Sequence, residues 1–137
     1  MKPSVSAPPG SPNGTEIPYY EYLGFEVVKW AGGAVRIAFP YRPELGNSRG
    51  HMHGGAITSL VDACLSQAVK SGLPTPAGAI ATVNLAVNFL RMGKGSLVGE
   101  GRIVRLGKTV VAAEAYVKDE AGEAVAQAIG TFRVFPQ

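Results

Sequence analysis

Apolar and polar positions follow two periods along this chain, and the switch between them marks out its elements. Val83, Leu85, Val87 and Phe89 alternate strictly with Thr82, Asn84, Ala86 and Asn88, the spacing of a strand with one buried face. Val35, Ile37 and Phe39 alternate with Arg36 and Ala38 in the same way. From Gly54 the period lengthens. Ile57, Leu60, Val61, Cys64, Leu65 and Ala68 recur at helical spacing, and Gly72 with Pro74 closes the element.

The remaining elements follow from punctuation. Pro18 suits a first helical turn and Gly24 a helix stop, which predicts one short helix between them. Phe25 to Trp30 and Ala34 to Pro40 read as strands joined by Gly32-Gly33, and Tyr41 to Met52 as a loop. After Gly93-Lys94-Gly95 come strands over Leu97 to Leu106, Thr109 to Lys118 and Glu123 to Phe135, with a turn at Asp119 to Gly122. Short connections make successive strands antiparallel neighbours. A single greasy helix in a strand-rich chain needs a sheet around it. The expected fold class is therefore α+β, with one curved antiparallel sheet of about five to six strands wrapped around one long helix.

Composition narrows this picture. A chain of 137 residues holds one domain, and 46% hydrophobic with 17% charged residues argues against general disorder. Residues 1–16 are rich in Pro, Ser, Gly and Asn and have little to bury, so they read as a flexible tail before a domain over 17–137. No apolar run is long enough to cross a bilayer, and the amino terminus lacks the apolar core of a secretory signal. Cys64 is the single cysteine, which excludes a disulfide framework and makes a reducing cytoplasm the expected setting. One cysteine and two histidines argue against a Cys/His zinc site, so no metal is expected. The net charge of +3 suits an anionic small molecule; the basic residues are scattered, with no run that marks a nucleic-acid arm.

Chemistry concentrates between residues 47 and 62. Gly54 and Gly55 open the long helix, where backbone N–H groups lack partners and sit at the positive end of the dipole. Such groups can bind a carbonyl oxygen as charge develops on it; a tight loop-to-helix turn is the plainer use of two glycines. On a helical wheel Asp62 falls at the flank of the apolar stripe beside Val69, off the polar side that holds Ser59, Ser66 and Lys70. A carboxylate there needs a partner or a cavity, or else reaches water as an ordinary boundary residue. As a functional group it is a general base or nucleophile. His51 and His53 flank Met52, and Asn47 precedes them; a loop histidine or asparagine is more often structural. No Gly-x-Ser-x-Gly elbow or phosphate-binding loop is present. Cys64 reads as core.

Asn47-Ser48-Arg49-Gly50-His51-Met52-His53-Gly54-Gly55, followed by Asp62 on the helix, resembles the signature of hotdog-fold acyl-CoA thioesterases of the phenylacetic-acid-degradation (PaaI-like) type. The likeness continues through Ala81 to Arg91 and Arg105-Leu106-Gly107-Lys108-Thr109, and so covers nearly everything from Tyr19 onward. It implies a dimer, with a homotetramer as the expected assembly, and sites between protomers. By resemblance, the Gly54 N–H polarises the thioester carbonyl with His53 supporting it. Asp62 of the facing subunit acts as base or nucleophile, Asn47 places the water or carbonyl, and Thr82 stands near the aspartate. Gly55, Val83, Arg91, Arg105, Lys108 and Thr109 are the implied substrate-binding positions, with coenzyme A as part of the substrate and no separate cofactor. The implied acyl group is aryl or medium-chain. Two other classes stay open at this point: a non-catalytic acyl-CoA-binding hotdog, and an enoyl-CoA hydratase or dehydratase pairing His53 with Asp62. Gly54 and Asp62 are eight residues apart, about 12 Å along a helix, so one helix serves two sites.

Overall fold

The computed structural model describes residues 17–74 and 79–136, so the tail expected over 1–16 lies outside the described residues. The first helix, α1 (Pro18–Leu23), begins with proline at its first position and ends at Gly24, whose φ of 84° is left-handed. Two strands follow, β1 (Glu26–Ala31) and β2 (Ala34–Phe39), turned tightly at Gly32 and Gly33 with φ of 59° and 89°. A loop with a 3-10 turn at Pro43–Leu45 leads to the long helix α2 (Gly54–Gly72). The chain then runs through β3 (Ala79–Phe89), β4 (Leu97–Leu106), β5 (Val110–Asp119) and β6 (Ala124–Phe135).

All six strands form one antiparallel sheet in the order β1-β2-β4-β5-β6-β3. This is the α+β arrangement read from the sequence, with one difference. The short Leu90–Ser96 connection suggests that β3 and β4 are neighbours; instead β3 pairs with β6 at the far edge and β4 pairs with β2. The connection crosses the end of the sheet beneath the start of α2. Gly93 accepts a hydrogen bond from the Met52 N–H at 2.8 Å and packs against Ile57, Leu97 and Met52.

The sheet holds α2 against one face, its inner face. Ile57, Leu60, Val61, Cys64, Leu65 and Ala68 are all buried there, as the helical period requires. Burying a leucine such as Leu60 or Leu65 stabilises the fold by about 2 kcal/mol each. Close approach needs bare backbone beneath the helix. A Cβ on Gly99 would sit 2.6 Å from the Cys64 sulfur, and one on Gly101 would lie 2.7 Å from the Cys64 carbonyl carbon. At the β1 end, Phe25 packs edge-on to Phe39, and buried Gln67 accepts a hydrogen bond from the Trp30 indole at 3.1 Å. That bond satisfies both polar groups inside the core.

The polar stripe of α2 is not left to water. Ser59 and Ser66, seven residues apart and so on one line of the helix, meet the hydroxyls of Tyr19 and Tyr20 from α1. Arg42 fastens the other end of α1 by donating to the carbonyls of Leu23 and Tyr22. Among the described residues, no helix is long and apolar enough to cross a membrane.

Candidate active site

The start of α2 is organised by His53. Its backbone N–H donates to the Leu45 carbonyl, and its carbonyl accepts from Ala56 and Ile57. Its ring Nδ1 accepts the Gly55 N–H at 2.8 Å, so His53 is the helix N-cap. Accepting at Nδ1 makes the imidazole neutral, with its proton on Nε2. These bonds use every N–H of the first turn except one. The Gly54 N–H has no protein acceptor among the described residues. It lies at the positive end of a 19-residue helix, where a ligand oxygen is the natural partner. The Phe89 ring stands 3.6 Å from where a Gly54 Cβ would be, which makes it the neighbouring wall.

Asn47 holds the loop that delivers His53. Its side-chain oxygen accepts from the N–H groups of Arg49 and His51, and its own N–H donates to the His51 carbonyl. This is a turn-capping use of the side-chain carbonyl. Asp62 lies two turns along α2, half-buried, and accepts the Thr82 hydroxyl at 2.9 Å.

The Thr82–Asp62 bond corrects the strict alternation expected for β3. Thr82 pairs with Phe132 and Asn84 with Thr131, so Val83 is an extra residue, a bulge. Phe132 is wholly buried, and the partner of Leu85, Gly130, faces Leu65 of α2. Thr82 and Leu85, three apart, therefore share the inner face, which an unbroken strand forbids. Without the bulge Thr82 would point away from α2. The bulge lets one strand present Thr82 to Asp62 and, further along, Leu85, Val87 and Phe89 toward the helix start. Val83 itself is exposed at the sheet edge.

Other sequence-predicted residues separate to the two ends of the chain's sheet. Arg91 is at the Gly54 end, ion-paired to Glu123 at 3.1 Å. Arg105, Lys108 and Thr109 lie at the opposite end, beside the start of β3, where Thr109 accepts from the Val134 N–H. Asp62 and Gly54 remain about 12 Å apart along α2. The chain thus holds these two groups apart rather than in one cluster. A groove of about 390 Å³ on the outer sheet face, with Arg36, Arg102 and Tyr116 among its lining, contains none of these residues.

Burial pushes the Cys64 thiol far above its ordinary range, so it is an inert core group and not a nucleophile. Burial also raises the Tyr20 phenol, against the lowering effect of its bonds to Ser66 and Gln67, with the Asp62 charge adding to the rise. Lys70, half-buried, is lowered by loss of solvent. Among the described residues, no group of three or more His, Cys, Asp or Glu side chains is placed to hold a metal ion. Sequence reasoning missed Phe89 as the neighbour of Gly54, and Tyr19; an aromatic pair beside a proline gave no sign of where α1 would dock.

A model of the family described as Thioesterase superfamily matches residues 49–126. A protein of Halobacterium salinarum with a provisional esterase name is 38% identical over 124 residues, 83% of this chain and 82% of that protein. A Streptococcus mutans structure bound to acetyl-CoA is 27% identical with a TM-score of 0.75, covering 82% of this chain and 90% of its own. The PaaI protein of the Escherichia coli phenylacetic acid degradation operon is 19% identical with a TM-score of 0.78, covering 85% and 83%, and so shares the fold.

Proposed function

This chain belongs to the thioesterase superfamily, and from that premise we propose that it hydrolyses acyl-CoA thioesters to a free acid and coenzyme A at a site shared by two copies of the chain. The observation that carries the reading is the unpartnered Gly54 N–H at the α2 start. A thioester carbonyl accepting that bond gains most as its oxygen becomes negative, and one such donor is worth roughly 3 kcal/mol in the transition state. The acetyl-CoA held by the Streptococcus mutans relative supports the substrate class.

Asp62, oriented by Thr82, supplies the second half. As general base it takes a proton from water, whose oxygen attacks the carbonyl carbon. The tetrahedral adduct then expels the sulfur, which leaves with a proton as the coenzyme A thiol. As nucleophile the carboxylate would form an anhydride that water opens, and the products are the same. Both routes need the carbonyl at Gly54 and the carboxylate of another protomer, because about 12 Å separates the two groups along one helix.

An antiparallel pairing of β3 with its copy meets that need. Among the described residues the strand is an edge with unpaired backbone groups, and Val83 and Phe89 on it are exposed at 63% and 53%. Two-fold pairing would lay the Thr82 end of one β3 against the Phe89 end of the other. It would also bring Arg105, Lys108 and Thr109 toward the far protomer's Gly54, where the coenzyme phosphates need cations. His53 speaks against the hydratase alternative. With Nδ1 occupied and Nε2 protonated, it has no free lone pair for base catalysis.

Gly54→Pro is the test. Proline is favoured at a first helical position and follows an extended residue, His53, so the fold should persist while the N–H is lost. With thiol release measured over phenylacetyl-, hydroxybenzoyl- and medium-chain acyl-CoA, kcat should fall by about 10²–10³ in Gly54→Pro and by at least as much in Asp62→Asn, at wild-type Tm. Gly54→Ala keeps the donor and should keep most activity. Absence of thiol release from every member of the panel, or wild-type kcat in both variants, rejects the reading.

A further inference from the structure

The α2 flank that carries Gly55, Thr58 and Asp62 has two walls, and only one of them is β3. On that side Thr82 reaches Asp62 and Phe89 stands beside Gly54. On the other side is α1. The Tyr19 hydroxyl lies 2.8 Å from Ser59 Oγ, and Ser59 Oγ in turn donates to the Gly55 carbonyl at 3.1 Å. Ser59 is four residues beyond Gly55 and three before Asp62, so on the helix surface it borders both. Tyr19 therefore stands between the two chemical ends of the flank.

Its setting is unusual for a surface aromatic. Tyr20 beside it is the anchor of α1, largely buried and bonded to Ser66, and Arg42 holds the far end of the helix. Tyr19 is fixed at its hydroxyl to Ser59 yet leaves 54% of its surface exposed. A ring held in place with about half its surface uncovered is pre-organised for apolar contact, since the ordering cost of the side chain is already met within the protein.

We propose that Tyr19 is a specificity-determining residue: its ring forms the outer wall of the acyl subsite and limits the size of the acyl group accepted beside Asp62. This rests on the thioesterase reading for its substrate, and on α1 for its geometry. A bulky acyl group would press on the ring, while a short one would not reach it.

The test uses wild-type, Tyr19→Ala and Tyr19→Phe proteins with acetyl-, butyryl-, hexanoyl-, decanoyl- and phenylacetyl-CoA, and with non-hydrolysable thioether analogues of the same acyl groups. Tyr19→Ala should raise the ratio of kcat/KM for decanoyl over acetyl by about tenfold or more, with acetyl turnover changed by less than about threefold. Tyr19→Phe keeps the ring and should stay within about threefold of the wild-type ratio. The affinity ratio of the thioether analogues should shift in parallel. A uniform change across all acyl groups, or none, overturns the wall. Analogue binding with an unchanged length ratio also overturns it, even if no thioester is hydrolysed. Binding that shifts with Tyr19→Ala but comes without hydrolysis sustains the wall and rejects the thioesterase reading alone. No binding of any analogue overturns both.

Discussion

Glycines 99 and 101 on β4 give two similar-looking substitutions with different physics. At Gly101 an added Cβ would lie 2.7 Å from the Cys64 carbonyl carbon, closer still to its oxygen, and 3.1 Å from the Cys64 Cβ. The obstacle is helix backbone, which moves only if α2 lifts from the sheet. At Gly99 the nearest atom is the Cys64 sulfur at 2.6 Å, followed by Leu60 Cγ at 3.1 Å. There a side chain is in the way. Overpacking a tight core costs about 1–3 kcal/mol and more where backbone must shift, so Gly101→Ala should cost about 3 kcal/mol and Gly99→Ala about 2 kcal/mol. Cys64→Ala removes the sulfur and costs about 1 kcal/mol through its cavity. The double variant Gly99→Ala/Cys64→Ala should then be more stable than the sum of its parts by about 1 kcal/mol or more, because the sulfur that blocks the new methyl is gone. Gly101→Ala/Cys64→Ala should be additive. Urea denaturation of the three single and two double variants measures this, with m-values checked for constancy. Equal coupling at both positions, or a neutral Gly101→Ala, would refute the claim that backbone contact sets the seat of α2. Since α2 carries both Gly54 and Asp62, Gly101→Ala should also lower kcat wherever the protein is still folded.

Two further outcomes follow from the site. Thr82→Val removes the donor to Asp62 while keeping the shape, and should lower kcat by roughly tenfold, the equivalent of about 1.4 kcal/mol. Thr82→Ser should retain most of the rate, and equal kcat in all three proteins would remove Thr82 from the site. His53→Ala loses the cap on the Gly55 N–H and should lower stability by about 1 kcal/mol in denaturant, whereas His53→Asn, which can still accept that bond, should stay within about 0.5 kcal/mol. If the two His53 variants are equally unstable, the cap is not what His53 contributes.

Much of the site was legible because its signals are local. Helical periodicity alone places Asp62 on the flank of α2, and the flank is where it meets Thr82. The glycines before Ala56 mark the helix start, where N–H groups without helical partners fall. Local signals could not identify which of the two N–H groups stays free. That depends on the His53 ring turning back onto Gly55, a rotamer fixed by the loop that Asn47 holds. The placement of α1 was equally silent, since Tyr19 and Tyr20 meet serines 40 and 46 residues away.

The sequence by itself determined the elements, their amphipathic faces and the separation of Gly54 from Asp62, because periodicity and helix rise are properties of neighbouring residues. The tertiary structure decided three things that neighbours cannot. Strand order sent β3 past β5 and β6 to the far edge, since the crossing beneath α2 is settled by packing against Gly93. Pairing with β6 made Val83 a bulge, and so turned Thr82 inward against its own alternation. Packing also brought α1 alongside Ser59, which lies between Gly54 and Asp62 on α2, although nothing in its own six residues refers to the site. Each depends on contacts between residues far apart in the chain, where burial and register outweigh local preference.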